Sequence, residues 1–486
     1  MSRKLLYIFL CSFFVHVLFA SVAFSQSNGT FINAFYGFDG YYEISKNLLA
    51  GHGFSKVETP PFVPSDERTP LYPLGMAILV SVFKNYYAVI LAQIILSSVI
   101  IPFLAYRITM QILARERIAT MVALILAFEP LAVHLATKVV SETLFTALFL
   151  ASVTLLFDYL KEARGKTLVY AGGMLALATL VRPTVQYLPL LFILAVFWTS
   201  RKQIGRAARH SLVFCAVFLL VLSPWVIRNF LVFHRAALNV QQTSVLYAYF
   251  IPSVIAIEQH TEFSKTQHQF FRGDGNITDP DDITLENASY YNKRAIKLLA
   301  SHPIGIFKSI GMTMFTFFTH DGYWDILRRF NYVEDFRIDR PLFMLFLESP
   351  REAIAVVRPL LASPALFVML GRLVWMLIAA SFIGGAILYL RTSKERAKGI
   401  VALLVVFYFA ATTIIVGLGV NARYRVPVNA LILTFAVYGA YGLLSSINYR
   451  AAMTAVCPSA CWQCGSSTQH HFYRMVILSG KCIWRA

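Results

Sequence analysis

Charge is what this sequence has least of. Only 14% of its 486 residues are Asp, Glu, Lys or Arg, against roughly a quarter in an average soluble domain, while hydrophobic residues make up 57%. A soluble fold cannot cover that much apolar surface. Acidic residues are the scarcer sign, 25 against 43 basic, for a net charge of +18. The basic residues fall mainly in short segments between apolar blocks, which is the positive-inside pattern of a membrane protein and not a nucleic-acid-binding face. Cysteine is sparse too. Cys11 and Cys215 lie within apolar blocks and Cys457, Cys461, Cys464 and Cys482 near the C-terminus, so no disulfide framework is implied. The short alternating strands of a membrane barrel are missing, as is an internal repeat of the kind many transporters carry.

What is present is a series of apolar blocks, most of them near the roughly 20 residues needed to cross a hydrocarbon core of about 30 Å. They cover 5–25, 87–106, 118–135, 139–160, 167–181, 184–200, 211–230, 367–390, 399–418 and 426–446. The expected fold is therefore an all-α polytopic membrane protein with about ten crossings. The first block, behind Arg3 and Lys4, exceeds the apolar core of a usual signal peptide and is read as an uncleaved helix. Residues 71–83 are apolar but short, and predict an interfacial or half-inserted helix. With that choice the basic clusters at 107–117, 161–166, 201–209 and 391–398 all fall on the cytoplasmic side. Two sizeable segments, 26–70 and 231–366, are left outside. In the second, 304–318 and 342–347 are apolar enough for interfacial helices or for an additional crossing pair. The membrane domain runs over 1–446, and 447–486 reads as a cytoplasmic tail without clear periodicity.

This topology leaves Arg68, Lys138, Arg182, Arg228, Arg235, Arg423 and Arg425 at the outer surface, against the charge rule. Some cations there snorkel or cap helix ends. Guanidinium groups at a membrane boundary also grip a lipid phosphate through paired hydrogen bonds. Asp39 lies just beyond the first block, ahead of a short helix that Gly51 stops, with Tyr41, Ile44 and Leu48 on one face. Asp39 at that place is either the helix N-cap or a carboxylate held at the boundary for chemistry. Glu129 and Glu142 flank the hairpin that carries His134 and Lys138, where boundary carboxylates are functional candidates or pair with Lys138 or a nearby Arg. Tyr72, Pro73 and Trp225 look structural.

Several patterns occur in order: Asp39 and Tyr42 with Gly51-His52-Gly53-Phe54; Arg68-Thr69-Pro70-Leu71-Tyr72-Pro73; Glu129-Pro130 with Ser141-Glu142; Leu180-Val181-Arg182-Pro183; Pro224-Trp225-Val226-Ile227-Arg228-Asn229; and Arg423-Tyr424-Arg425-Val426-Pro427. Together the chain resembles the GT-C membrane glycosyltransferases, of the bacterial aminoarabinose-transferase and protein-mannosyltransferase type. The resemblance implies transfer of a sugar from a polyprenyl-phosphate carrier to a lipid, glycan or protein acceptor at the outer face of a bacterial inner membrane. Asp39 matches the acidic residue after the first crossing and would be the general base. Arg68, Lys138, Arg182, Arg228, Arg423 and Arg425 would contact the donor phosphate, with Glu43, Tyr72, Glu129 and Glu142 in support. Mannosyltransferases of this type often carry Asp-Glu at this place, but here Gly40 follows Asp39, and neither a cofactor nor a metal is indicated.

The rival readings are a transporter or lipid flippase and a non-catalytic envelope scaffold. Transporter sites tend to sit near the midplane between repeats, whereas these charges gather at one face. The spacing Cys457-x3-Cys461-x2-Cys464, near His470 and His471, matches an iron–sulfur motif of radical enzymes, but it lies in a short tail rather than a soluble barrel, and metal binding is not expected there. The sequons at Asn28, Asn276 and Asn287 carry no weight at this length.

Overall fold

The computed structural model describes residues 3–275, 277–333, 345–346, 349–456, 474–478 and 481–485. Among these the chain is a polytopic helical protein, because the long apolar runs have no other way to satisfy their backbone groups in lipid. Seven helices are long and apolar enough to cross a membrane, among them Arg3–Gln26, Glu142–Glu162 and Leu366–Thr392. The pair Glu116–Ala127 and Pro130–Ala136, bent by 53°, makes an eighth if it is one span. The expected crossings at 167–181 and 184–200 are the helix Gly165–Val181 and the stretch Pro183–Thr199, apolar but short of that length. Residues 71–83 form the 13-residue helix Leu71–Phe83.

The break at 128–129 has a visible cause. Pro130 cannot continue the preceding helix, and Glu129 caps the next one, its carboxylate accepting a hydrogen bond from the Ala132 amide at 2.6 Å. Such a cap satisfies one of the orphan donors at a helix start.

The two outer segments fold as well. In the first, Thr30 caps the helix Phe31–Phe35, and residues after it press against the 138–140 turn, where the Val139 amide donates to the Phe35 carbonyl at 2.8 Å. Gly37 permits that approach, since a Cβ there would stand 2.2 Å from the Val139 carbonyl oxygen. The helix Tyr41–Leu49 follows; it buries Tyr41 and Ile44 and keeps Leu48 half-buried, so the face seen in the sequence packs on protein. The second segment carries helices at Phe263–Asp274, Ala288–Ala300, Pro303–Thr319 and Pro350–Leu361. Part of it closes over its own core of Tyr247, Ile251, Phe271, Ile283 and Tyr291.

The C-terminal unit, 440–486, is separate. Within it, Arg474–Leu478 and Lys481–Arg485 pair as an antiparallel hairpin, an element that the absence of a clear period in the tail did not suggest. Cys457, Cys461, Cys464, His470 and His471 lie outside the described residues, as do Asn276 and most of 342–347.

Candidate functional site

Asp39 is aimed by the residue that follows it. Gly40 adopts φ +74° and stands at the N-cap of the helix Tyr41–Leu49, a left-handed conformation that glycine enters without strain. Asp39 is therefore not the cap. Its carboxylate turns instead to Arg423, whose Nη2 donates to Oδ2 at 2.8 Å. Arg68 approaches from the other side, with Nη2 4.0 Å from Oδ1 and Nε donating to the Asp39 carbonyl at 2.8 Å.

Arg423 reaches this place from a short 3-10 turn, Ala422–Tyr424, fixed by Asn421, whose side chain accepts from the Arg423 amide. Its guanidinium also engages Glu142, with Nε donating to Oε1 at 2.6 Å. The same oxygen receives Arg182 Nη1 at 2.7 Å. Arg182 can turn toward it because the helix Gly165–Val181 ends there: Arg182 is extended, at φ −146° and ψ 122°, as expected of a residue before proline. Glu142 opens the helix Glu142–Glu162 and its side chain is 1% exposed; among the described residues its Oε2 has no hydrogen-bond partner.

Five charged side chains thus form one network of three guanidinium groups and two carboxylates. A cluster with one cation in excess, largely removed from water, is an anion site by its electrostatics. Burial on its own would raise the pKa of Asp39, but Arg423, Arg68 and Arg182 outweigh it and hold the carboxyl below its ordinary value. A cavity of about 120 Å³ opens on these groups. Next to it an apolar cavity of about 420 Å³ runs between Phe145, Phe409, Thr412 and Val416, with Arg182, Arg423 and Tyr424 forming a shared wall.

The structure brings Asp39, Arg68, Arg182, Arg423 and Glu142 together and places the other candidates elsewhere. Arg425 lies fully buried over the Trp375 ring at 3.5 Å, and spends its donors on the Phe317 and His320 carbonyls and Asn429. Arg228 stacks on Trp225 and Phe54 and donates to the Ser65 carbonyl. Neither lines the Asp39 cavity, because backbone carbonyls and aromatic faces already hold their guanidinium groups. Lys138 also stands off it, over the Phe38 ring at 6.0 Å; burial and nearby Arg329, Arg328 and Arg423 bring its ammonium pKa down to about 8. Glu43 accepts from the Tyr36 hydroxyl. The Tyr72 hydroxyl donates to Gln93 at 2.7 Å and its ring packs edge-on against Tyr41, so it supports the site from behind. Glu129 does not line the Asp39 cavity and caps its helix through Oε2.

Four lining residues escaped the sequence reading: Asn239, Gln241, Asn421 and, as a contact in its own right, Tyr424. The adjacent carboxylate that Gly40 denies is supplied from 103 residues further on, by Glu142 through Arg423. Among the described residues no group of three or more His, Cys, Asp or Glu side chains is placed to hold a metal ion.

If Arg425 serves the fold, Arg425→Met should lower the thermal midpoint in detergent and leave donor-lipid affinity unchanged. Two buried carbonyls lose a charged donor, at about 1–3 kcal/mol each; a selective loss of donor affinity would return Arg425 to the site.

Residues 67–227, about a third of the chain, match the family model described as dolichyl-phosphate-mannose-protein mannosyltransferase. No curated protein matches the chain in sequence. Among solved structures it is similar to the Archaeoglobus fulgidus oligosaccharyltransferase in the apo form, at 13% identity and TM-score 0.44, over 93% of this chain and 52% of that one. The same archaeal protein, AglB, in complex with an inhibitory peptide and a dolichol-phosphate matches at 12% identity and TM-score 0.45, over 94% and 53%. ArnT from Cupriavidus metallidurans bound to undecaprenyl phosphate matches at 14% identity and TM-score 0.36, over 90% and 80%. The chain spans about half the length of the archaeal structures. The family match over residues 67–227 accords with the resemblance carried by the sequence motifs.

Proposed function

We propose that the chain is a GT-C-type membrane glycosyltransferase that moves a sugar from a polyprenyl-phosphate donor to a hydroxyl acceptor at the outer face of a bacterial inner membrane, by an inverting displacement with Asp39 as general base. The acceptor hydroxyl gives its proton to the Asp39 carboxylate as its oxygen bonds to the anomeric carbon. The bond from that carbon to the phosphate oxygen breaks, and the polyprenyl phosphate leaves with the electron pair. Arg182, Arg423 and Arg68 stabilise the charge that gathers on the phosphate, the kind of fixed electrostatic help that dominates such reactions. The observation that carries the reading is the adjacency of two unlike cavities: a polar one holding Asp39 and excess cation, and a larger apolar one sharing Arg182 and Arg423 with it. A phosphate with a long apolar tail fits that pairing.

Reconstituted in vesicles with a labelled polyprenyl-phosphate sugar, the purified chain should release free polyprenyl phosphate and deliver the label to an envelope fraction. Movement of intact donor across the bilayer without bond cleavage would instead identify a flippase.

The depressed pKa of Asp39 sets the sign of the pH response. The base form is already present at neutral pH, so the acid limb of kcat/KM, which reports the free enzyme, should lie below the ordinary carboxylate range of about 4. The stabilisation that the network draws from ionised Asp39 is present above that value and lost as pH falls through the lowered pKa. A limb near pH 6 or above would assign the base to another group.

A further inference from the structure

Guanidinium groups gathered around a cavity of about 120 Å³ repel one another, and the two carboxylates offset this unevenly. Arg423 bridges Asp39 and Glu142, and Arg182 lies 2.7 Å from Glu142. Arg68 stands 4.0 Å from Asp39 and, among the described residues, shares no carboxylate with Arg182. Ion pairing therefore leaves the spacing between Arg68 and Arg182 unset.

A buried hydroxyl sets it. Thr69, next to Arg68 in the chain, donates from Oγ1 to the carbonyl of Val181, next to Arg182, at 2.8 Å. Both residues are 1% exposed and back the cavity. Among the described residues this is the one hydrogen bond that joins 68–69 to 181–182. The carbonyl has need of that donor. Val181 ends the helix Gly165–Val181, where the last carbonyls have no partner within the helix, and Pro183 follows with no amide hydrogen to offer. On its other side Arg68 is held by the Asp39 carbonyl at 2.8 Å and by the Tyr41 ring at 5.5 Å. Tyr41 in turn donates from its hydroxyl to Oγ of Ser141, the residue before Glu142, at 3.1 Å.

We infer that Thr69 is a positioning residue for the transfer proposed above, its hydroxyl fixing how far Arg68 stands from Arg182 across the cavity that receives the donor phosphate. This rests on the transfer reading. Without the hydroxyl the two like charges move apart, and a phosphate held from both sides is held from one; a misplacement of about 1 Å is enough to cost a hundredfold in rate. Asp39 responds as well. Burial raises its pKa, and Arg423, Arg68 and Arg182 together hold it below its ordinary value, with Glu142, Tyr41, Tyr72 and Tyr424 the other titratable groups that act on it. Moving two of those cations away lets the carboxyl rise.

The test compares wild type, Thr69→Val and Thr69→Ser as purified full chains at matched folded protein, with a labelled polyprenyl-phosphate sugar and an envelope fraction as acceptor. Thr69→Val keeps the shape and loses the donor. It should lower kcat/KM for the labelled donor by about tenfold to a hundredfold, and move the acid limb up into the ordinary carboxylate range of about 4. Thr69→Ser keeps the hydroxyl and should recover most of the rate, with the limb back near that of wild type. A Thr69→Val chain that loses only thermal stability, its rate and limb unchanged, would overturn the positioning role while transfer stands, as would a Thr69→Ser chain no better than Thr69→Val. If Thr69→Val does not fold, Thr69→Ala takes its place; failure of both to fold would make Thr69 a residue of the fold alone and overturn the assignment. A wild type that binds donor and never cleaves it would overturn the transfer reading itself, and the positioning role with it.

Discussion

Replacing Arg423 with Met should abolish measurable transfer and lower the stability of the folded chain together. Among the described residues Arg423 is the one cation that touches both carboxylates, holding Asp39 at 2.8 Å and Glu142 at 2.6 Å. Without it, among the described residues, the Asp39 carboxylate keeps the 4.0 Å contact with Arg68, and Glu142, 1% exposed, keeps Arg182. Removing one partner of a buried ion pair costs about 3–5 kcal/mol. The lower end applies here, because both carboxylates retain a guanidinium and the Asp39 side chain remains 24% exposed. The activity loss has a separate cause under the proposed mechanism, in which a donor aimed at developing phosphate charge is removed, at a cost of about a hundredfold or more in the rate. Arg423→Lys keeps the charge without the fork that spans two carboxylates. It should recover stability in part and activity hardly at all. Thermal unfolding in detergent and a transfer assay separate the two effects; full stability with Arg423→Met would mean that the network does not hold the site together.

Asp39→Asn is expected to leave the protein folded and to slow transfer by about a hundredfold to ten-thousandfold, the range attributed to a positioned general base. Asn preserves the shape and can still accept from Arg423, so the Gly40 turn and the helix Tyr41–Leu49 have no reason to move. What it cannot do is take the proton. Donor-lipid affinity should hold or improve, since an anion that competes with the phosphate for Arg423 and Arg182 has gone. A variant with normal transfer would leave Asp39 as one strut of an ion network, and a variant that fails to bind donor would make it a structural residue.

Charges were legible in the sequence because lipid is intolerant of them. Asp39, Arg68, Arg182 and Arg423 stand at the ends of apolar blocks, where a charge must have a partner or a use, and the structure draws all four to one cavity. The helical architecture was legible for the same reason, down to the glycine that stops the helix after Leu49, since Gly51 does take a positive φ of 78°. The sequence could not show which boundary cations are already spent. Arg425 and Arg228 look the same as Arg423 in a hydropathy pattern, yet carbonyls and aromatic rings absorb them. Nor could it show that Glu142 meets Asp39 through a shared arginine, or that Gln241 and Asn239 line the cavity: uncharged residues in a long outer segment carry no periodic or electrostatic signal. The bend at Glu129 and Pro130 and the shortness of Gly165–Val181 also lay below the resolution of apolar run lengths.

The most direct test of the account is transfer of labelled sugar from a polyprenyl-phosphate donor to an envelope fraction, run with wild type and Asp39→Asn at matched folded protein and matched donor binding. The account predicts that wild type delivers the label and releases one polyprenyl phosphate for each sugar moved, and that Asp39→Asn binds the donor yet transfers at least a hundredfold more slowly. Equal transfer by the two proteins, or donor bound and never cleaved by wild type, would contradict it.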